Sequence, residues 1–353
     1  MDDETPAPAS IRIALEERLK AAHLGHADPR AERLLEALVD DAIGLVADGT
    51  GVVDLKLVAA TLAEMRRALA MFRPWSEGPR KVTAFGSART LPDDPAYQMA
   101  EAFGQRLVEL GYMVITGGGP GIMGAVVEGA GAANSFGVGI RLPFEQKPHE
   151  ILRDNPKYLE FKYFYTRKLF FLKEASAVAL FPGGFGTHDE GFETLTLVQT
   201  GKARMVPIVF IDVPGGTYWE TWDRFVREQL LDRGLISPED LALYRITHDL
   251  EEAVGEITGF YRVFHSTRRI RNSLVMRLVH DVDDNVLDTL SAEFADLFGG
   301  KPLRRIAPLK EESDQPELLG LPRLSLAFDH HRFGRLRMFI DRLNELGSAG
   351  AAS

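Results

Sequence analysis

The chain has 353 residues, of which 45% are hydrophobic and 26% are charged, and its formal net charge is −10. This composition is typical of a soluble globular protein with one large domain or two to three ordinary ones. An acidic chain without a long basic block is poorly suited to holding a nucleic-acid backbone. The absence of cysteine excludes disulfide bonds and thiolate metal sites.

No hydrophobic run approaches the length of a membrane span, so we expect no membrane partner. Residues 1–10 lack the basic and apolar regions of a signal peptide, and we expect them to be disordered and the protein to be cytoplasmic. Apolar residues then recur at helical spacing from 11 to 72. Glycines near position 50 break this stretch into at least two helices, and residues 73–79 form a Pro- and Gly-rich linker.

From Lys81 the pattern alternates between strand and helix, which predicts an α/β fold with a Rossmann-like, doubly wound parallel sheet. The predicted strands are 82–85, 112–116, 137–142, 175–181 and 206–211. The predicted helices are 96–110, 122–133, 163–174, one ending near 200, 218–231 and one starting at 237. Residues 143–160 are predicted to form a loop that contains three prolines.

The pattern changes again near Val263, and a small α+β unit with the order β-α-β-β-α is expected. Its predicted elements are strand 273–279, helix 284–297, strands 304–307 and 324–328, and helix 332–346. Residues 310–320 are polar and are expected to be a mobile loop. The predicted divisions are a helical N-terminal region at 1–79, a nucleotide-binding catalytic domain at 80–262, and the small unit at 263–353.

Two glycine-rich turns stand between a predicted strand and a predicted helix: 117–124 (GGGPGIMG) and 182–190 (PGGFGTHDE). Unpaired amides at a helix start suit a phosphate, and two such turns in one sheet could share one. The alternative is that both turns merely pack tightly. The first turn matches the dinucleotide fingerprint, but it follows the second strand and no acidic residue ends the next one, so NAD is disfavoured.

Several side chains beside these turns could take part in chemistry. Ser87 and Thr187 could donate hydroxyl hydrogen bonds to a phosphate, although both could equally be ordinary helix caps. Arg167 and Lys168 form a basic pair on an otherwise aromatic helix. Acidic residues stand at the start of the helix after the second turn. The helix dipole stabilises acidic residues at this position, so they need not have a catalytic role. His188 is more simply an exposed residue than a base.

These motifs resemble those of the Lonely Guy (LOG) family, whose characterised members are nucleoside 5′-monophosphate phosphoribohydrolases, the cytokinin-activating enzymes among them. The resemblance rests on 117–123, the Arg167-Lys168 pair and 182–190, extends over about 80–262, and favours a longer bacterial branch. Family members have often been labelled lysine decarboxylases, an activity that the resemblance does not support.

The resemblance implies hydrolysis of the N-glycosidic bond of a nucleoside 5′-monophosphate, such as AMP or a cytokinin riboside monophosphate. It places the catalytic residues at Arg167 and Glu190 and implies no metal, no cofactor, and a homo-oligomer that is at least a dimer. Met123 and Lys168 would contact the ribose or base. The expected phosphate-binding residues are Ser87, Gly118, Gly119, Gly121, Gly183, Gly184, Gly186 and Thr187. A non-catalytic nucleotide sensor or carrier on the same fold remains the alternative.

Overall fold

The computed structural model describes residues 13, 17, 29–142, 148–271, 273–328 and 331–349. The expected disordered segment at 1–10 lies outside these residues. The described chain divides into two compact units, one ending at Arg66 and one from Arg67 to Ser353. No helix among the described residues is long and apolar enough to cross a membrane.

Two helices dominate the N-terminal part of the chain, as the apolar spacing predicts: α1 (Pro29–Ala47) and α2 (Val52–Phe72). α1 ends where the Asp48 and Thr50 amides bond back to its last carbonyls and Gly49 takes a φ of +68°. Glycine adopts this left-handed conformation without steric cost, which explains the break.

The second unit begins within α2 and is built on a seven-stranded, fully parallel sheet. Its strands are β1 (Lys81–Phe85), β2 (Met113–Thr116), β3 (Ser135–Ile140), β4 (Tyr158–Phe161), β5 (Ala177–Leu180), β6 (Ile208–Ile211) and β7 (Tyr244–Thr247). The spatial order is β4-β3-β2-β1-β5-β6-β7. The chain thus runs outward from β1 to β4 and then returns to continue on the other side of β1.

Helices cover both faces of this sheet, which confirms the doubly wound prediction. They are α3 (Pro95–Glu109), α4 (Ile122–Ala130), α5 (Phe164–Lys173), α6 (Phe185–Gln199), α7 (Tyr218–Phe225) and α8 (Leu250–Gly259). A π-helical turn, Val226–Leu231, continues α7, and a 3-10 segment, Pro238–Leu243, follows it. Alternate residues of β1 face opposite sides: Val82 and Ala84 pack toward α3 and α4, whereas the Thr83 hydroxyl donates to the Phe171 carbonyl of α5.

α3 and α4 pack unusually close together because glycines stand at their contact. A Cβ on Gly104 would lie 2.2 Å from the Val126 carbonyl oxygen, and one on Gly129 would lie 1.9 Å from that of Glu101. Both distances are far below van der Waals contact, so only glycine allows this approach. The two helices therefore fix the position of the loop that leads into α4.

The C-terminal part holds a second, antiparallel sheet of order β10-β11-β9-β8. Its elements are β8 (Phe264–Ile270), β9 (Ser273–Leu278), α9 (Asp284–Glu293), β10 (Arg304–Arg305), β11 (Arg323–Leu326) and α10 (Phe333–Ala349). The order is therefore β-β-α-β-β-α, and the predicted β-α-β-β-α order lacked the first strand. Inside α10, the buried Asn344 accepts the Val263 and Phe264 amides and donates to the Phe260 carbonyl, which ties this helix to the end of α8.

Other parts of the prediction from the sequence were incomplete or wrong. Strands β4 and β7 and helix α8 were not predicted, and β4 falls in the expected loop at 143–160, of which 143–147 lie outside the described residues. The expected mobile loop at 310–320 contains two 3-10 turns and a fully buried carboxylate, Glu312. Glu312 bonds to two buried arginines, Arg277 (2.7 Å) and Arg323 (3.1 Å), and accepts the Leu309 amide. These bonds fix the segment against the sheet.

The buried triad of Glu312, Arg277 and Arg323 makes a stability prediction. Glu312→Ala would leave two buried guanidinium groups without their carboxylate, so we expect a loss of about 3–5 kcal/mol in the free energy of unfolding, measured by urea titration. The neighbouring Glu311 pairs with Arg271, which is 84% exposed, and Glu311→Ala should cost less than about 1 kcal/mol. Equal costs for the two variants would contradict this role of Glu312.

Candidate active site

The predicted phosphate-binding residues, Met123 and Glu190 follow strands β1, β2 and β5 at the carboxyl edge of the sheet, whereas Arg167 and Lys168 lie on α5, which follows β4. The strand order reverses between β1 and β5, and ligands of such sheets bind in the crevice at this point. Ser87, directly after β1, joins both glycine turns through its backbone. Its amide donates to the Pro182 carbonyl and its carbonyl accepts the Ile122 amide, both at 3.0 Å. The structure thus brings the two predicted turns together.

Two glycines are required by this close approach. Gly121 has a φ of +67°, and a Cβ there would lie 2.2 Å from the Ser87 carbonyl oxygen. A Cβ on Gly183 would lie 2.1 Å from the Thr187 hydroxyl oxygen. By contrast, Gly184 and Gly186 are exposed, and a Cβ on either would meet nothing within 4 Å. The backbone of the second turn therefore faces open space.

Amides that could bind an anion surround this space. Within the described residues, the amides of Gly119, Gly183 and Gly184 donate no hydrogen bond, and α4 and α6 begin directly after these loops. The Ser87 hydroxyl oxygen accepts the Arg89 amide at 3.0 Å, which leaves its proton to donate elsewhere. Helix starts with free amides attract phosphate, so the geometry suits the predicted ligand.

Gly118 differs from the other predicted phosphate-binding residues. Its amide donates to the Thr116 hydroxyl at 3.1 Å, and its carbonyl accepts the His149 amide at 2.8 Å. Its φ of +70° requires glycine. Gly118 therefore shapes the first turn, and its amide is already engaged within the protein.

Glu190, one turn into α6, is a buried carboxylate with 8% of its surface exposed. It borders a small cavity with Phe85 and Phe171, whose rings meet edge-on at 4.9 Å. Burial raises the pKa of Glu190 to about 7, against the opposing charges of Lys168 and Arg167. A carboxyl group with a pKa near neutrality can exchange a proton with a reacting group at physiological pH.

Lys168 is the cation nearest to Glu190, with its Nζ 4.0 Å from the carboxylate. The same Nζ lies 2.6 Å from Glu193 and 2.9 Å from Asp189, so it anchors three carboxylates of α6 to α5. Burial lowers the pKa of Lys168, but the hydrogen bonds to Glu193 and Asp189 outweigh this effect and raise the pKa. Lys168 therefore stays protonated and orients the acidic face of α6.

Arg167 turns away from Glu190 toward the first glycine turn, and no ion pair joins the two among the described side chains. Its Nε donates to the Val138 carbonyl at 2.9 Å, and its guanidinium lies over the Phe171 ring. A Cβ on Gly117 would fall 2.8 Å from the Arg167 Nη2 and 2.7 Å from the Met123 sulfur. Arg167 and Met123 thus stand together beside the first turn at Gly117.

Tyr218, at the start of α7, holds the second turn in place, a role that was not predicted from the sequence. Its hydroxyl donates to the Gly183 carbonyl and lies 2.6 Å from the His188 Nε2. His188 also packs against the Trp219 ring. The sequence predicted an exposed His188, but the ring is half-buried. Burial lowers its pKa, which favours the neutral ring, and its contacts with Tyr218 and Trp219 support the loop.

No group of three or more His, Cys, Asp or Glu side chains among the described residues is arranged to hold a metal ion. The structure places a buried carboxyl, two basic side chains, and the amides and hydroxyls of three loops at the site. Together they form an anion cradle beside a carboxyl group that titrates near neutrality.

The raised pKa of Glu190 makes a prediction about stability. A carboxyl group whose pKa is higher in the folded than in the unfolded state binds more protons when folded, so the wild-type protein loses stability as the pH rises from about 4 to about 7. Glu190→Gln removes this loss. We expect the variant to be more stable than wild type by roughly 1–3 kcal/mol at pH 8.5, with the difference shrinking toward pH 5.

Chemical unfolding of both proteins at several pH values measures this difference. Glu228→Gln, the same chemical change at an exposed position on the π-helical turn, serves as the control and should follow wild type throughout. A constant difference between Glu190→Gln and wild type from pH 5 to 8.5 would show that Glu190 is not destabilised by ionisation.

The chain is similar to plant proteins that are named as phosphoribohydrolases. It is 26% identical over 204 residues to a cytokinin riboside 5′-monophosphate phosphoribohydrolase of Arabidopsis thaliana, a match that covers 57% of this chain and 88% of the relative. It is 29% identical over 146 residues to a probable enzyme of the same name in Oryza sativa subsp. japonica, covering 40% of this chain and 57% of the relative.

Among solved structures, the molybdenum cofactor binding protein of Rippkaea orientalis matches with a TM-score of 0.35 and 18% identity, covering 51% of this chain and 96% of that protein. The family model described as "Possible lysine decarboxylase" matches residues 123–257, the stretch that holds Arg167, Lys168 and Glu190. Over the central domain, the resemblance of this chain to the Lonely Guy family, predicted from its glycine motifs, is confirmed.

Proposed function

We propose that the protein hydrolyses the N-glycosidic bond of a nucleoside 5′-monophosphate, giving the free base and ribose 5-phosphate. The observation that supports this most directly is the pairing of an open anion cradle with a buried carboxyl group whose pKa is about 7. The plant relatives bear the name of this reaction. A purine nucleotide such as AMP is the substrate we favour, with cytokinin riboside monophosphates as close analogues.

In this proposal the cradle formed by Ser87, Thr187 and the two glycine turns binds the 5′-phosphate and so fixes the ribose. Holding a reactant in place can remove several kcal/mol from a barrier, on the order of 7–11 in favourable systems. Arg167 and Met123 stand beside the first turn, where they would contact the sugar or base. Gly118 would act by shaping the first turn, since its amide is already bonded.

Glu190 would carry the chemistry. As the bond between C1′ and the base nitrogen breaks, the sugar develops positive charge, as in glycoside hydrolysis. The electron pair of the broken bond would leave with the base nitrogen. The ionised Glu190 would stabilise the charge on the sugar and take a proton from the attacking water, whose oxygen becomes bonded to C1′; this proton, passed on directly or through solvent, would neutralise the departing base and restore the carboxylate. Lys168 favours the ionised form of Glu190, and its contacts with Asp189 and Glu193 fix the helix that carries it. Lys168 is thus better placed to position Glu190 than Arg167 is.

The state of Lys168 also argues against amino-acid decarboxylation of the pyridoxal type. That chemistry starts with a neutral lysine amine as nucleophile. The Lys168 amine is held protonated by the carboxylates around it, and its pKa is raised. The label carried by the family model therefore finds no support at this lysine.

Glu190→Gln should abolish hydrolysis while leaving AMP binding intact, because the amide keeps the shape of the carboxyl group but cannot take a proton. We expect the rate of adenine release from AMP to fall by roughly 100-fold or more, measured by chromatography, with binding followed by calorimetry. Glu228→Gln should keep the wild-type rate. Adenine release at the wild-type rate by Glu190→Gln would refute this role, and binding without release by the wild type would favour the sensor hypothesis.

We also propose that the protein forms at least a dimer, through an aromatic surface next to the site. Phe164, Tyr165 and Leu169 on α5 and Phe185 and Phe192 on α6 are all exposed, Phe185 to 95%. Lys168 joins these two helices, so the exposed residues flank the same ion-pair cluster. An aromatic surface of this kind is typical of a protein interface.

The dimer proposal predicts that Leu169→Glu/Phe185→Ser lowers the molar mass in solution, since it places a charge and a polar group on the surface. Size-exclusion chromatography with light scattering measures the mass. Leu235→Glu, which charges a residue 62% exposed on another part of the unit, is the control and should keep the wild-type mass. A wild-type monomer, or an unchanged mass for the double variant, would contradict the proposal.

A further inference from the structure

A wide cleft in the second unit lies at the opposite edge of the parallel sheet from the candidate active site. It has a volume of about 1000 Å³. Lys81, the first residue of β1, and Ser176, just before β5, line it, together with residues of β8 and β9. Ser87 follows the other end of β1, and the five residues of that strand span roughly 16 Å. The cleft is therefore separate from the glycine cradle.

Positive charge dominates the walls of this cleft, although the chain as a whole has a net charge of −10. Seven lysines and arginines and four carboxylates line it. Three of the basic side chains have carboxylate partners: Lys173 with Glu174, Arg268 with Asp314, and Arg277 with Glu312. The other four form no ion pair with any residue that the structure describes: Arg73, Arg80, Lys81 and Arg204. Two carboxylates, Glu77 and Glu317, likewise remain unpaired.

Three of the four unpaired cations, Arg80, Lys81 and Arg204, are held in place by neutral groups. The Arg80 guanidinium lies 3.7 Å from the centre of the Tyr261 ring, and the Tyr261 hydroxyl donates to the Ser176 carbonyl. The Lys81 Nζ donates to the Trp75 carbonyl at 2.7 Å, and Arg204 donates to the Lys173 carbonyl at 2.7 Å. These contacts fix the positions of the charges without neutralising them.

The cations also act on two ionisable groups of the cleft, in addition to the larger effect of burial. Burial, followed by the charges of Arg80 and Arg277, lowers the pKa of His265 to about 4. Burial also lowers the pKa of Lys81, and Arg204 and Lys173 add to this effect while Glu174 opposes it. The cleft therefore holds several cations that repel one another, an arrangement that an anion would stabilise.

We propose that this cleft binds a small molecule carrying several phosphate groups, at a site separate from the glycine cradle. Multiple fixed arginine and lysine side chains are the usual way to bind phosphates. The volume of the cleft falls within the range of small-molecule sites. A long nucleic acid fits less well, because the acidic remainder of the protein would repel its backbone.

Inorganic tripolyphosphate is a suitable probe because it carries the charge without a base or sugar. Calorimetric titration of the full chain at low salt measures its affinity. In Arg73→Ala/Arg80→Ala we expect the affinity to fall at least tenfold. The control Arg224→Ala/Arg233→Ala removes the same charge from exposed positions outside the cleft, and its affinity should stay within twofold of wild type. Circular dichroism checks that all variants are folded.

Each outcome decides the proposal. A loss of tripolyphosphate affinity in the Arg73/Arg80 variant but not in the control supports it. Binding of two tripolyphosphates by wild type and of one, at the glycine cradle, by the variant would also support it. Equal weakening in both double variants would show that tripolyphosphate responds only to overall charge and would overturn it. Unchanged affinity in the Arg73/Arg80 variant, or no binding by wild type at millimolar tripolyphosphate, would also overturn it. None of these results depends on hydrolytic activity.

Discussion

Two backbone hydrogen bonds at Ser87 hold together the region on which the candidate site depends. Its amide bonds to the turn after β5, and its carbonyl bonds to the start of α4. Both contacts follow from the reversal of strand order beside β1, which brings three loops to one point. Gly121 and Gly183 are needed because any Cβ would strike this junction. The two turns, which are 60 residues apart in the chain, therefore form one cradle.

The buried Glu190 beside this cradle favours chemistry at the expense of the stability of the folded protein. Glu190 is buried against aromatic rings, which disfavours its charge, while Lys168 favours it. The balance leaves a carboxyl group that ionises near neutral pH, at a cost to the folded state. A carboxylate placed only for stability would be expected to have a lowered pKa, as Glu312 has between its two arginines. In Glu312 the hydrogen bonds from the Leu309 amide, Arg277 and Arg323 outweigh the effect of burial, whereas in Glu190 burial outweighs the nearby charges.

The strands that were not predicted from the sequence all lie at the edge of a sheet. β4 and β7 are the two edges of the parallel sheet, and β8 is an edge of the antiparallel sheet. Edge strands are less buried, so their apolar pattern is weak: only Thr247 of β7 and the two ends of β8 are buried. Helix α8, by contrast, could have been predicted from its capping motif. The Asp249 side chain accepts a hydrogen bond from the Glu252 amide, and the pattern Asp-x-x-Glu is typical of a helix N-terminus.

The sequence by itself determined the α/β architecture, the central strands and the two phosphate-type turns, because these features depend on local periodicity and on glycine. The family resemblance carried by its motifs also singled out Arg167, Lys168 and Glu190 as candidate site residues. Only the tertiary structure decided which groups meet: Lys168 beside Glu190, Arg167 beside the first turn, and Tyr218 on the second. It likewise revealed that Glu312 is buried and that unpaired cations gather at the far edge of the sheet. These contacts join residues distant in the chain, and their burial and charge partners exist only once the sheet has formed.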